Sequence, residues 1–251
     1  MLTSERKGLI LETLRRDGRL VAKEFSRGLN LSEDTIRRDL RELAGEGLLQ
    51  RVHGGALPAS PATADYGVRE RIGGDAKAAI ASVGAKLIRP GQIVFLDGGT
   101  TNLQFARRLP ADLRATVVTH SPSIAVELAR HPTVEVELIG GRLFKHSVVA
   151  MGAACVEALA RVRADIFVMG ATGVHAELGL TTGDAEEAAL KRMIARQSAE
   201  TLVLATRDKL GAASPFGIIG LGDVGTLVVE SDLPAGTLDP FRAAGVEIAL
   251  A

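Results

Sequence analysis

Tryptophan is absent from this chain of 251 residues, aromatic residues make up only 3%, and cysteine occurs once, as Cys155. So few rings exclude a base-stacking platform of the kind that single-stranded nucleic acids need. One thiol excludes an intramolecular disulfide, and its place in the helix-like run AACVEALA reads as a small buried side chain. No apolar run approaches the roughly 18 residues of a membrane span. The opening MLTSERK passes directly into an amphipathic stretch and does not resemble a signal peptide, so a soluble cytoplasmic protein is expected. Net charge is missing too, since 30 Lys and Arg balance 30 Asp and Glu. Residues 1 to 57 hold eleven basic against nine acidic side chains, an excess of only two. Any binding to nucleic acid must therefore come from where the arginines stand, multiplied by assembly into a homodimer or homotetramer. The histidines (His53, His120, His131, His146 and His175) lack paired ligand spacing, so neither a metal nor a cofactor is expected.

What is present starts with a module of alternating helix signals. Ile10, Leu11 and Leu14 form a stripe in residues 4 to 16, and Gly18 ends it. Val21 and Phe25 mark a second short helix stopped at Gly28. After a tight turn, Ser32 is placed as N-cap, with Glu33 and Asp34 in the first turn and Ile36, Leu40 and Leu43 at helical spacing. Three helices with a tight turn between the last two make a helix-turn-helix. The apolar face of the third helix turns Asp34, Arg38 and Arg41 outward, with Thr35 and Arg37 beside them. Arginine can grip guanine bidentately and a threonine methyl can touch thymine. A plain solvated face laced by Asp34 with Arg38 and Arg38 with Glu42 is the alternative. The following GLLQRVHGGA favours the first reading, as two short strands closing on glycine form a wing that lays Arg51 and His53 beside a DNA backbone. The candidate DNA-contacting residues are thus Ser32, Thr35, Arg37, Arg38, Arg41, Arg51 and His53, and the expected partner is double-stranded operator DNA.

A Pro/Ala/Ser stretch separates this module from the rest, which gives a winged helix-turn-helix domain at 1–57, a linker at 58–65 and a larger domain at 66–251. In the larger domain helix and strand patterns alternate from DAKAAIASVGAKL through DIFVMG, which predicts an α/β fold with a mostly parallel sheet. Ligands of such sheets bind beyond the C-terminal strand ends. There the chain places Asp97, Gly98, Gly99, Thr100, Thr101 and Asn102 after QIVFL, an anion cradle in outline. Thr119, His120 and Ser121 follow ATVV, Gly170 to Gly173 follow DIFVM, and Lys209 follows TLVLATRD, where an ammonium could pair with a phosphate. The run Gly220 to Gly225 spells a dinucleotide fingerprint, but a strand pattern, TLVVE, follows it where a helix is required.

The string LSEDTIRRDLRELAGEGLLQRVHGGA resembles the DNA-binding module of the DeoR family of bacterial regulators, across residues 3 to 57. LDGGTT, the Gly140-Gly141 pair, EEAALKRMI and Lys209 resemble the sensor domain of the same family, which is related in fold to sugar-phosphate isomerases. The resemblance implies a repressor of a carbohydrate-metabolism operon, controlled by a phosphorylated sugar or related anion. It also implies a pocket built from Asp97 to Asn102, Thr119 to Ser121, Gly170, Gly173 and Lys209. The chain departs from the family pattern at His120, where asparagine is common, and at Thr206, where aspartate is common. An isomerase-like enzyme using Asp97, His120 and Lys209, and a protein-binding adaptor, are the rival readings.

Overall fold

The computed structural model describes residues 1–60 and 65–251. The N-terminal domain runs α1 (Thr3–Asp17), β1 (Leu20–Val21), α2 (Ala22–Gly28), α3 (Glu33–Gly45), β2 (Leu49–Val52) and β3 (Gly55–Pro58). Its core joins Ile10 and Leu14 of α1 to Ile36, Leu40 and Leu43 of α3, the stripes that the sequence periodicity marks, with Leu20, Ala22, Leu49 and Ala56 closing it. β2 and β3 form the expected antiparallel wing, and β1 adds a third strand on the other side of β3, which two residues were too few to announce. The second helix differs from expectation by one position. Ala22 and Ser26 are its buried residues, while Val21 lies in β1 and is exposed. Its stop also differs, since Gly28 remains helical and the left-handed residue of the turn is Asn30, with φ 53°. A short amide side chain tolerates that conformation.

The expected linker begins later than residue 58. Pro58 ends β3, Ala59 forms a parallel bridge with Ala213, and Ser60 is buried. The middle of that stretch, residues 61–64, lies outside the described residues.

The larger domain opens with α4 (Tyr66–Arg71) and α5 (Gly74–Ala85). Seven strands make its sheet: β4 (Ile93–Leu96), β5 (Thr116–Thr119), β6 (Glu135–Leu138), β9 (Ala164–Met169), β12 (Ser198–Leu204), β14 (Thr226–Val229) and β15 (Glu247–Leu250). Their order is β15-β14-β12-β9-β4-β5-β6, and every pairing is parallel. Because side chains alternate along a strand, each strand feeds both faces. Val94, Leu96, Ile166, Val168, Leu202 and Leu204 pack on one side, against α5, α6 (Thr100–Ala106) and α7 (Pro122–Leu128). Phe95, Phe167, Met169, Val203 and Leu227 pack on the other, against α8 (Ala153–Leu159), α9 (Ala185–Gln197) and α10 (Asp239–Ala243). Cys155 is fully buried there, as its sequence context suggests. Two antiparallel units flank the layers. One is β7 (Arg142–Phe144) with β8 (Val149–Met151), and the other is β10 (Gly173–His175), β11 (Gly179–Thr182) and β13 (Phe216–Gly217). The fingerprint-like glycines form a short 3-10 turn at Leu221–Asp223 leading into β14, so no helix follows them. After β4 the chain moves outward to β5 and β6, then returns to lay β9 on the other side of β4. The crevice at the C-terminal ends of β4 and β9 is therefore the topological switch point.

Candidate functional site

In the N-terminal domain the Ser32 side chain caps α3 by accepting from the Thr35 amide at 3.2 Å, and the two hydroxyl oxygens lie 2.8 Å apart. Arg37, Arg38 and Arg41 are exposed. Arg37 pairs with Glu33 at 2.7 Å, one turn earlier. Neither of the pairs that would make Arg38 part of a laced surface forms, and Glu42 turns instead to Lys7 at 3.1 Å. Among the described residues no carboxylate pairs with Arg38 or Arg41. Arg51 and His53 are exposed at the wing, and Gly54 makes its turn. One determinant escapes sequence reading. Asp39, fully buried, takes a two-pronged hydrogen bond from Arg6, whose Nη2 lies 3.0 Å from Oδ1, and so fixes α1 against the helix that presents the arginines. A buried, hydrogen-bonded pair of this kind is costly to break from one side.

At the switch point lies a cleft of about 740 Å³, partly continuous with open solvent. Its floor is Gly98, Gly99, Thr100, Thr101 and Asn102 from the end of β4, with Gly170, Ala171 and Thr172 from the end of β9. Gly99 has φ 114°, a conformation that favours glycine and turns the loop under the cleft. Asn102 stitches the two strand ends together, donating to the carbonyls of Asp97 at 3.0 Å and Val168 at 3.2 Å. Arg69, Lys77, Lys191 and Lys209 bring positive charge to the walls, and Glu187 and Asp208 bring carboxylates. Lys77 donates to the carbonyls of Arg69 and Ile72, the latter at 2.6 Å, and Arg69 donates to the carbonyl of His146. The Lys209 ammonium has no hydrogen-bond or ion-pair partner among the described residues. Burial brings its pKa down to about 8 against the pull of Asp208, and repulsion from Lys77, Arg69 and Lys191 adds to the fall.

From the wall of the cleft to beneath its floor runs a buried charge cluster. Asp97 accepts from the Gly98 amide at 2.8 Å, the Gly170 amide at 2.9 Å, His120 Nε2 at 2.9 Å and Lys191 Nζ at 3.0 Å. Burial alone would raise its pKa, but Lys191, His120 and the Gly170 amide hold it down at about 2. His120 Nδ1 faces the carbonyl of Ala150 at 2.9 Å. Both ring nitrogens thus face acceptors, which requires the imidazolium form. Burial would lower its pKa, yet Asp97 and the neighbouring Cys155 raise it to about 9. Lys191 also reaches the Gly170 carbonyl at 2.7 Å and Glu187 at 3.3 Å, and burial is outweighed by the two carboxylates, so its pKa rises. Asp97 and Glu187 balance His120 and Lys191 at and below the floor, which leaves Arg69, Lys77 and Lys209 against Asp208, a positive excess in the cleft.

Of the residues that sequence reasoning assigns to the pocket, Gly98 to Asn102, Gly170 and Lys209 line the cleft. Asp97, Thr119, His120 and Ser121 do not. They are fully or almost fully buried below it, where Thr119 donates to the Leu96 carbonyl at 2.6 Å and Ser121 to the Val148 carbonyl at 3.3 Å. Their polar groups are spent on holding strand ends together. Gly173 also lies off the cleft, in β10, where any Cβ would come 2.5 Å from the carbonyl oxygen of Ala212. Thr206 does line the cleft, and Asp208 supplies a carboxylate two positions later. Arg69, Lys77, Ser147, Glu187 and Lys191 were not singled out. A signal existed for two of them, since Glu187 and Lys191 share a helix stripe with the buried Ile194. No group of His, Cys, Asp or Glu among the described residues is arranged to hold a metal ion. No helix among them is long and apolar enough to cross a membrane.

The chain matches the DeoR C-terminal sensor domain over residues 73–231 and the DeoR-like helix-turn-helix domain over residues 6–62. It is 35% identical to the HTH-type transcriptional regulator GlpR of Haloferax volcanii, across 99% of this chain and 98% of that protein. It is 30% identical to the regulator GolR of Listeria innocua over the full length of both, and 30% identical to the glycerol-3-phosphate regulon repressor of Haemophilus influenzae over 100% of this chain and 98% of that one. Since the Haloferax relative is archaeal, membership of the family does not place the chain in a bacterium. Among solved structures, ribose 5-phosphate isomerase A of Methanocaldococcus jannaschii superposes on 54% of this chain and 54% of its own, with 18% identity and a TM-score of 0.39. The relatives are regulators from end to end, so the isomerase reading of Asp97, His120 and Lys209 falls away. The chain belongs to the DeoR family of transcriptional regulators.

Proposed function

We propose that this regulator is a cytoplasmic repressor that holds double-stranded operator DNA near carbohydrate-metabolism genes, and that a phosphorylated sugar or related anion in the cleft loosens its grip. The observation that carries this reading is Lys209, an ammonium over a glycine floor without a protein partner among the described residues, in the same chain as Arg38 and Arg41 of α3, with which no carboxylate there pairs. Lys209, Lys77 and Arg69 would take the phosphate oxygens, and Glu187 and Asp208 would accept from sugar hydroxyls. Arg38 and Arg41, with Arg37, Thr35 and Ser32 beside them, would read or position along the major groove while Arg51 and His53 meet the backbone. A domain with an excess of two positive charges has few phosphate contacts to offer, so the operator-bound species would be a homodimer or homotetramer on repeated half-sites. The names of the relatives support a sugar-linked role, as one represses a glycerol-3-phosphate regulon. The test is a thermal-shift panel of sugar phosphates, with the unphosphorylated sugars as controls, followed by anisotropy on an operator recovered from a random duplex pool. A phosphorylated ligand that raises the melting temperature and weakens operator binding is expected. Stabilisation by the unphosphorylated sugars alone, or no selective duplex, would overturn the reading.

A further inference from the structure

One loop touches both the cleft and the wing. Lys209 ends a 3-10 turn, Arg207–Lys209, on the cleft wall, and the chain then runs five residues to Ser214. Each step of that run is held. Leu210 bridges to Val174, the Gly211 amide donates to the Val174 carbonyl at 2.9 Å, and Ala212 lies against Gly173. The Ser214 amide donates to Thr181 Oγ1 at 2.9 Å, and its hydroxyl shares a 2.7 Å hydrogen bond with Thr172, which itself lines the cleft. Between these anchors Ala213, almost fully buried, forms the parallel bridge to Ala59. Ala59 directly follows β3, the strand that pairs with β2 and with it carries Arg51.

A short segment hydrogen-bonded and packed along its length cannot absorb a displacement at one end, because close-packed interiors pass strain on. We propose that residues 209–214 are the strap through which cleft occupancy reaches the wing, with Ser214 as the positioning residue that ties the strap to the cleft through Thr172. The inference rests on the reading that the cleft takes an anion and the N-terminal domain takes DNA. It adds the route between them, which the position of Ala59 directly after β3 and the double anchoring of Ser214 make physical. An anion drawn to Lys209 would pull on the start of the strap, and contacts to Thr172 would move its end. Both displacements converge on Ala213.

The test uses the full chain and Ser214→Ala, which deletes the hydroxyl bond and keeps the backbone bond to Thr181, with Ser214→Thr as the rescuing variant. Melting temperature and stabilisation by inorganic phosphate check that fold and cleft are intact. The readout is amide hydrogen exchange with and without operator. In the wild type, operator should change exchange in the wing, in residues 210–214 and in the Gly98–Asn102 floor. In Ser214→Ala the change at the floor should shrink by roughly threefold or more while the wing change persists, and Ser214→Thr should restore it. An undiminished floor response in Ser214→Ala, or no response at 210–214 in the wild type, would overturn the strap. Absence of any response in α3 and the wing would instead mean that operator is not bound, and the reading beneath the strap would fail with it.

Discussion

Lys209 and His120 are both strongly perturbed, in opposite directions, and each shift has a measurable consequence. With a pKa near 8, Lys209 is charged in the free protein below that pH and loses its proton above it. Anion affinity should therefore weaken progressively above pH 8, and a bound anion should restore the ammonium by proton uptake. Titration of the stabilising ligand between pH 7 and pH 9.5 checks this. Lys209→Ala should bind roughly tenfold weaker or more at neutral pH and show a flatter profile. His120 works on stability. Its folded pKa of about 9 lies above the ordinary 6.5, so its contribution is fully present below pH 6.5 and is lost as pH rises through 9. The companion Asp97, held at about 2 against an ordinary 3.8, contributes above pH 3.8 and loses that contribution as pH falls through 2. Denaturant unfolding of the wild type against His120→Asn should show the His120 part of stability falling between pH 6.5 and 9 by an amount on the order of a few kcal/mol, while Lys209, with its lowered pKa, contributes an opposing rise above pH 8 in both proteins. His120→Asn should flatten that fall and leave anion affinity little changed, because the ring lies below the floor. A histidine that touches the ligand would give the reverse.

Among the elements, α3 is the one on which capping, burial and surface chemistry all converge. Ser32→Ala should cost about 1 kcal/mol of stability through the lost cap. Asp39→Ala should cost the N-terminal domain about 3 kcal/mol, since it strands Arg6 in the core. Asp39→Ala touches no DNA-facing side chain, whereas Ser32→Ala also removes the hydroxyl that lies 2.8 Å from that of Thr35. Arg38→Ala should leave stability unchanged and cost about 1 to 3 kcal/mol of operator binding, with relaxed sequence preference. Melting curves beside operator titrations separate the two classes, and an Arg38→Ala protein with wild-type operator affinity would remove that residue from the interface. The helices and parallel strands were legible because their periodicity is long enough to read. Ile36, Leu40 and Leu43 announce α3, and VVT, FVM and LVV announce buried strands. What stayed hidden was short or non-local. β1 is two residues whose strand character exists only beside β3, β10 is three residues in a tight hairpin with β11, and β13 depends on a partner far back along the chain. In the site, the glycine floor and Lys209 follow from strand ends, whereas Lys191 looks like half of an ordinary surface pair with Glu187. Only its 3.0 Å approach to Asp97 across the sheet reveals a buried role. The Thr119-His120-Ser121 run misleads for the complementary reason, as small polar residues at a strand end serve equally to bind a ligand or to tie down neighbouring backbone.

For the whole molecule, the balance of 30 basic and 30 acidic residues makes tight operator binding by a monomer implausible on electrostatic grounds. Analytical ultracentrifugation at operator-binding concentrations should show a dimer or tetramer, and a monomer that holds operator tightly would contradict this. Control by ligand requires that the anion favour one arrangement of the two domains, since equal affinity for both arrangements shifts nothing. Linkage then makes the effect reciprocal, with a typical coupling of roughly 5- to 150-fold. The most direct test is calorimetric titration of the stabilising sugar phosphate into full-length protein, alone and saturated with operator. The expected result is an affinity for the sugar phosphate that is lower on DNA by the same factor by which saturating ligand lowers operator affinity, with binding weakened in Lys209→Ala. Equal affinity with and without operator would contradict it.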